Sequence, residues 1–207
     1  MARTRAEDFP EKQRAILASA AAVLGGGGID KASMAQIAER AQVSKALLYH
    51  YYPGKEALIF AIIHAHLCEL DAAIEAADDP ALPPPERLRR LVHTVLETYR
   101  DADDAHRVQI NGTPTLPEEQ RNAIHAIERR ILRRFATVLR AINPALDADP
   151  RLMPATLSLF GMMNWVYMWF REGGPITRAD YADLATDLFL DGLSNLPERP
   201  ERPERGR

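Results

Sequence analysis

The chain has 207 residues, 26 Lys and Arg against 29 Asp and Glu, and a net charge of −3 with neutral histidines. With 46% hydrophobic and 27% charged residues it has a globular composition that excludes wholesale disorder. Its length fits one large domain, or one small domain plus one medium. A single cysteine, Cys68, excludes an internal disulfide, and no Cys/His set has zinc-ligand spacing. The charged start MARTRAEDFPEKQR lacks the apolar core of a secretory signal, so a cytoplasmic protein is expected. Residues 1–55 hold eight basic and five acidic side chains, a net +3, while the rest of the chain carries −6. Such asymmetry hints at a polyanion-binding end on an acidic protein.

A 3.6-residue apolar periodicity recurs throughout and no β-type alternation is sustained, which predicts an all-α fold. The first helix is expected from about Pro10 to Leu24, stopped by Gly25–Gly28. Ser33, with Gln36 three residues on, forms a capping-box signature for a short helix reaching about Arg40. Ala41-Gln42-Val43 make a turn, and Ser44 caps a helix ending near Tyr51-Tyr52, before Pro53-Gly54. A long helix follows over about 55–77, then a proline-rich loop from Asp78 to Pro85. Further helices are predicted near 86–104, 118–142, 151–172 and 178–194, with a short one around 106–111. The tail over 197–207, three Pro-Glu-Arg repeats and Gly-Arg, reads as disordered. Residues 152–170 carry no charge and approach the length of a membrane span. Pro154, Thr156, Ser158, Gly161 and Asn164 within them favour a helix buried in protein.

Two short helices joined by a three-residue turn fit a helix-turn-helix, with Ala38 at the crossing and Val43 in the turn. Ile37, Ala41 and Leu48 supply further apolar positions for that pair. The second helix would expose Lys45, Ala46, Leu47, Tyr49 and His50, a short polar and aromatic set suited to base edges and phosphates.

The stretch IAERAQVSKALLYHYYPGKEAL, residues 37–58, closely resembles the DNA-binding signature of the tetracycline-repressor (TetR) family of transcriptional regulators. Val43-Ser44, Leu48-Tyr49-His50-Tyr51-Tyr52, Pro53 and Lys55-Glu56-Ala57-Leu58 stand in register with it. The resemblance implies a three-helix DNA-binding domain over 1–54 and a helical ligand-binding and dimerisation domain over 55–196. It implies a homodimer on double-stranded palindromic operator DNA, acting as a repressor and released by a small-molecule effector, with no cofactor. DNA contacts are implied at Ser33, Ser44, Lys45, Ala46, Leu47, Tyr49, His50, Tyr51 and Lys55. Of these, Ser33, Tyr49 and Lys55 act on phosphates, and Lys45, Leu47 and His50 on base sequence. Gln42 stands where the family often has glycine, and a left-handed backbone there would cost a non-glycine residue about 1 kcal/mol. Leu47 occupies a position more often small or polar, which suits contact with a thymine methyl.

In the family the fourth helix links pocket to DNA-binding domain, and the last two long helices form the dimer interface. The corresponding interface residues are Leu152, Thr156, Leu159, Val166, Tyr181, Leu184 and Leu188. The acidic stripe Asp180, Asp183, Asp187 and Asp191 reads as a solvated face. Phe160, Met163, Asn164 and Tyr167 are candidate pocket residues, and Arg130 and Arg133, in the basic band Arg129–Arg134, candidate contacts to ligand phosphates. That band also reads as a solvated face paired with Glu118, Glu119 and Glu128. The segment MMNWVYMWFREGGPIT, residues 162–177, resembles family members that respond to acyl-coenzyme A thioesters, which implies an acyl-CoA effector. The competing classes are a helical enzyme and an adaptor protein. The six histidines are scattered, no nucleophile elbow, P-loop or H-E-x-x-H motif occurs, and Cys68 falls on a predicted buried face without a sequence-local base.

Overall fold

The computed structural model describes residues 4–147 and 149–196, with side chains from residue 11 onward; the 197–207 tail lies outside the described residues. Every regular element among the described residues is a helix: α1 Thr4–Gly27, α2 Met34–Arg40, α3 Lys45–Tyr51, α4 Lys55–Ala77, α5 Pro84–Thr98, α6 Asp103–Gly112, α7 Glu118–Ile142, α8 Leu152–Asn164, α9 Val166–Trp169 and α10 Arg178–Ser194. Single 3-10 turns occupy Thr113–Thr115 and Pro144–Leu146.

The chain divides into two compact units. The first holds residues 1–75 and 97–131. Its core gathers Ile16, Ala20 and Leu24 of α1, Ile37 and Ala38 of α2, Leu48 of α3 and the inward stripe of α4, Leu58, Ile59, Ile62, Ile63, Leu67, Leu70 and Ile74. The second holds 76–96 and 132–207, with Leu88, Leu91, Val92 and Val95 of α5, Phe135 and Leu139 of α7, Leu159, Phe160 and Met163 of α8 and Ala182 and Ala185 of α10 inside. Phe160 meets the Phe135 ring edge-on, centroids 4.8 Å apart.

Several boundaries differ from the sequence reading for local reasons. α1 continues through Gly25, Gly26 and Gly27 and ends where Gly28 turns to φ +84°. Tertiary packing needs glycine inside the helix, because a Cβ on Gly25 would stand 2.9 Å from the Asp104 carbonyl oxygen of α6. α5 starts at Pro84, since proline fits the first helical turn, and it stops at Thr98 instead of 104. Asp101, with φ 61°, then reverses the chain into a longer α6 than the short helix expected. The 152–170 run is interrupted at Trp165, and the chain leaves helix at Phe170, whose ψ is 144°. Beyond it Gly173 takes φ +75°, while Arg178 lies over the Phe170 ring at 4.7 Å and donates to Glu172 at 2.6 Å. Among the described residues, the helix long and apolar enough to cross a membrane is α4, half of it buried within the fold, and not the uncharged 152–170 run.

Candidate functional site

Local hydrogen bonds set the α2–α3 pair. Ser33 Oγ accepts the Gln36 amide at 3.3 Å, and the Gln36 side-chain oxygen accepts the Ser33 amide at 2.9 Å, closing the capping box. Ser44 Oγ accepts the Leu47 amide at 3.1 Å. Between them Gln42 adopts φ 54°, the left-handed turn expected at that position, and the Val43 amide donates to the Ala38 carbonyl at 3.0 Å. Leu48 is fully buried, so the rotation of α3 about its axis is fixed. Lys45, Ala46, Tyr49 and His50 then stand exposed on the opposite side, with Leu47 half-buried beside them. Tyr51 is half-buried and meets the His50 ring edge-on at 5.6 Å.

The C-terminal end of α3 is pinned from outside the pair. Tyr52 is buried, its hydroxyl accepts from Gln13 Nε2 of α1 at 3.2 Å, and burial pushes its phenol up. Lys55 Nζ donates to the carbonyls of Ile29 at 2.7 Å and Ala32 at 3.3 Å, tying the loop before α2 to the start of α4. The ammonium expected on phosphate is thus also a structural clasp.

The second unit carries its apolar surface where sequence periodicity put the core. Thr156, Leu159 and Val166, expected at a dimer interface, are buried within their own unit, and Leu152 is half-buried. The exposed face is instead Met153, Leu157, Trp165, Met168 and Trp169, together with Leu184 and Leu188 of α10. Both faces of the run are apolar, so periodicity could not say which one packs inward. Tyr181 is half-buried, its hydroxyl donating to the Met162 carbonyl at 3.0 Å. Among the expected pocket residues, Phe160 and Met163 belong to the core, and Asn164 and Tyr167 are half-buried.

The charged groups are more engaged than a solvated reading implies. Arg130 pairs with the buried Asp71 at 2.7 Å, and Arg134 lies 3.9 Å from Asp78, while Arg133 is exposed. Asp183 and Asp187 of the acidic stripe bind Arg89 of α5, and His93 stands 2.9 Å from Asp183. Those partners, His93 first, hold the Asp183 carboxyl below its ordinary range. Asp180 serves the Thr177 capping box of α10. Among the described residues no group of three or more potential metal ligands comes together.

Sequence reasoning missed a buried polar cluster in the first unit. His66 of α4, Tyr99 and His106 of α6 stack with ring centroids 5.0–6.1 Å apart and are at most 7% exposed. Burial, then the charge of His106, pushes the His66 imidazole down to about 4, and burial pushes the Tyr99 phenol up. The available signal was the position of His66 on the apolar stripe of α4, between Ile62, Ile63 and Leu70. Cys68, expected in the core, is half-buried, and its base was one helical turn away: His64 Nδ1 lies 3.7 Å from Sγ.

Known proteins share this arrangement. Residues 16–62 match the family model for bacterial regulatory proteins of the tetR family, and residues 81–193 that for the tetracyclin repressor-like C-terminal domain. The HTH-type transcriptional regulator BetI of Rhizobium meliloti is 31% identical over 142 residues, 68% of this chain and 70% of that protein. A TetR-family regulator structure from Bordetella parapertussis superposes with TM-score 0.80 at 31% identity, covering 89% of this chain and 96% of that one. The structure of AibR in complex with isovaleryl coenzyme A and operator DNA superposes with TM-score 0.75 at 26% identity, covering 86% and 97%.

Proposed function

The chain belongs to the TetR family of bacterial transcriptional regulators, and on that premise we propose that it is a repressor that binds a palindromic operator as a homodimer and leaves it when an acyl-coenzyme A thioester binds. One observation carries the DNA half of this reading. The exposed row Lys45, Ala46, Tyr49 and His50 is held by two serine caps and a buried Leu48, within residues that the family model matches. In this reading Lys45, Leu47 and His50 read bases, and Tyr49, Ser33 and Ser44 sit against phosphates. Lys55 acts on affinity both directly and by holding the loop before α2.

The dimer forms through the exposed apolar face of α8 and α10. Met153, Leu157, Leu184 and Leu188 are each at least 40% exposed, an apolar surface that a second copy of the chain would cover. The likeness to AibR, whose structure holds isovaleryl coenzyme A and operator DNA, supports the thioester. An effector releases the protein only by binding one conformation better than another. A coupling of about 1–3 kcal/mol then lowers operator affinity about 5–150-fold. Titrating a panel of thioesters into the protein–operator complex tests this, with free acids and free coenzyme A as controls. Release by a thioester and not by its parts is expected; release by the free acid alone contradicts the thioester.

A further inference from the structure

The first unit carries a cleft of about 430 Å³ between α1 and α4, lined by Gln13, Arg14 and Leu17 on one side and Phe60, Ala61, His64 and Ala65 on the other. Its walls are mostly carbon, with the Arg14 guanidinium exposed at the rim. His64 stands against the Phe60 ring at 5.4 Å, and its ring nitrogens lie 3.7 and 3.8 Å from Cys68 Sγ. A thiol and its proton acceptor therefore adjoin an apolar cleft with a cation at its edge. The same cleft includes Gln13, the residue that holds Tyr52 at the C-terminal end of α3. No part of the DNA reading proposed above uses His64 or Cys68.

We propose that this cleft captures a small enone or enal covalently on Cys68 and thereby weakens operator binding. The carbon frame lies against Leu17, Phe60 and Ala65, and the electron-rich carbonyl oxygen is drawn to Arg14. The Cys68 proton passes to the free nitrogen of His64. The thiolate forms the S–C bond at the β-carbon while the C=C π pair shifts through the α-carbon to the carbonyl oxygen as an enolate. The proton held on His64 then goes to the α-carbon, so the adduct forms with no oxidant or second reactant. An occupant of this cleft presses on Gln13 and loosens the clasp on Tyr52. The effect on DNA rests on the regulator reading; the capture itself does not.

The probe is 2-cyclohexen-1-one on the full chain, read by intact mass, and Cys68 is the only cysteine available to it. Operator affinity is measured on DNA that the untreated protein selects from a random pool. One adduct is expected, forming at least roughly tenfold faster than on glutathione, and His64→Gln should remove that advantage. The adduct should lower operator affinity roughly tenfold, while Cys68→Ser protein treated alike keeps its affinity. Capture no faster than on glutathione overturns the site. Full capture with unchanged affinity, or loss of affinity in treated Cys68→Ser protein, overturns the coupling. If untreated protein selects no DNA, the regulator reading fails, and the mass measurement still decides the capture.

Discussion

The α2–α3 pair and the α8–α10 face both offer side chains to solvent, and they offer opposite chemistry. α3 presents Lys45, Tyr49 and His50, groups that hydrogen-bond and carry charge, on a helix of seven residues. The second unit presents Met153, Leu157, Trp165, Met168, Leu184 and Leu188, which can only gain by leaving water. Binding by the first should fall steeply with salt as counterions are released. Association through the second should be nearly indifferent to salt, because fully burying each large apolar side chain contributes about 1.5–3 kcal/mol without any charge. One chain thus separates a salt-sensitive contact from a salt-insensitive one.

The widest separation comes from charging the apolar face. Leu184→Asp with Leu188→Asp removes about 3–6 kcal/mol of burial from the proposed interface and adds two charges to it. Sedimentation should show monomers with operator binding lost, while helix content stays that of the parent. A dimer of unchanged affinity would place the interface elsewhere. Next, Leu48→Ala empties the position that sets the rotation of α3 and should cost about 2–5 kcal/mol of stability in urea unfolding, with operator affinity falling alongside.

A smaller effect lies between these surfaces, at His66. Its imidazole is pushed from the ordinary 6.5 down to about 4 by burial. The unfolded state therefore binds the proton more tightly, so stability is full above about pH 6.5 and is lost as the pH falls toward 4. From pH 7 to pH 5 this single group should remove about 2 kcal/mol. His66→Phe should lose that much less over the same interval, read as the difference between the two urea profiles. Equal pH slopes in the two proteins would contradict the buried neutral imidazole. Smallest of all, Gln42→Gly relieves a left-handed residue and should raise the melting stability by about 0.5–1 kcal/mol without altering which DNA is bound.

The same contrast explains what the sequence made legible. In the Ser33–Tyr52 segment the determinants are local: a serine reaching an amide three residues on, a two-sided short helix, a turn residue with a required φ. Each is written within a few positions, and the capping box, the Ser44 cap and the left-handed Gln42 all stand where the spacing puts them. α4, α7 and α10 likewise begin and end at the predicted residues. In the 152–170 run the determinant is tertiary. Leu159 and Leu157 are equally apolar, and only packing against Phe135 and its neighbours decides that the first is buried and the second half-exposed. The Lys55 clasp on the Ile29 and Ala32 carbonyls spans more than twenty residues, and the Arg89–Asp183 pair more than ninety, separations across which no pattern signals a partner. Gly25 is the mirror case: a residue that reads as a helix breaker lies inside a helix because Asp104 of a distant helix needs the room.

The central claim is that the chain reads operator DNA through the exposed side of α3, and one titration tests it most directly. Fluorescence anisotropy of a palindromic DNA selected by the protein is followed at two salt concentrations, for the parent and for a Lys45→Ala, Tyr49→Ala, His50→Ala variant. All three residues are exposed, so the variant should fold and dimerise as the parent does. The parent should bind with a strong salt dependence. The variant should lose roughly 1–3 kcal/mol for each contact removed and no longer distinguish the selected DNA from a scrambled duplex. Equal affinity and equal discrimination in the two proteins would contradict the account.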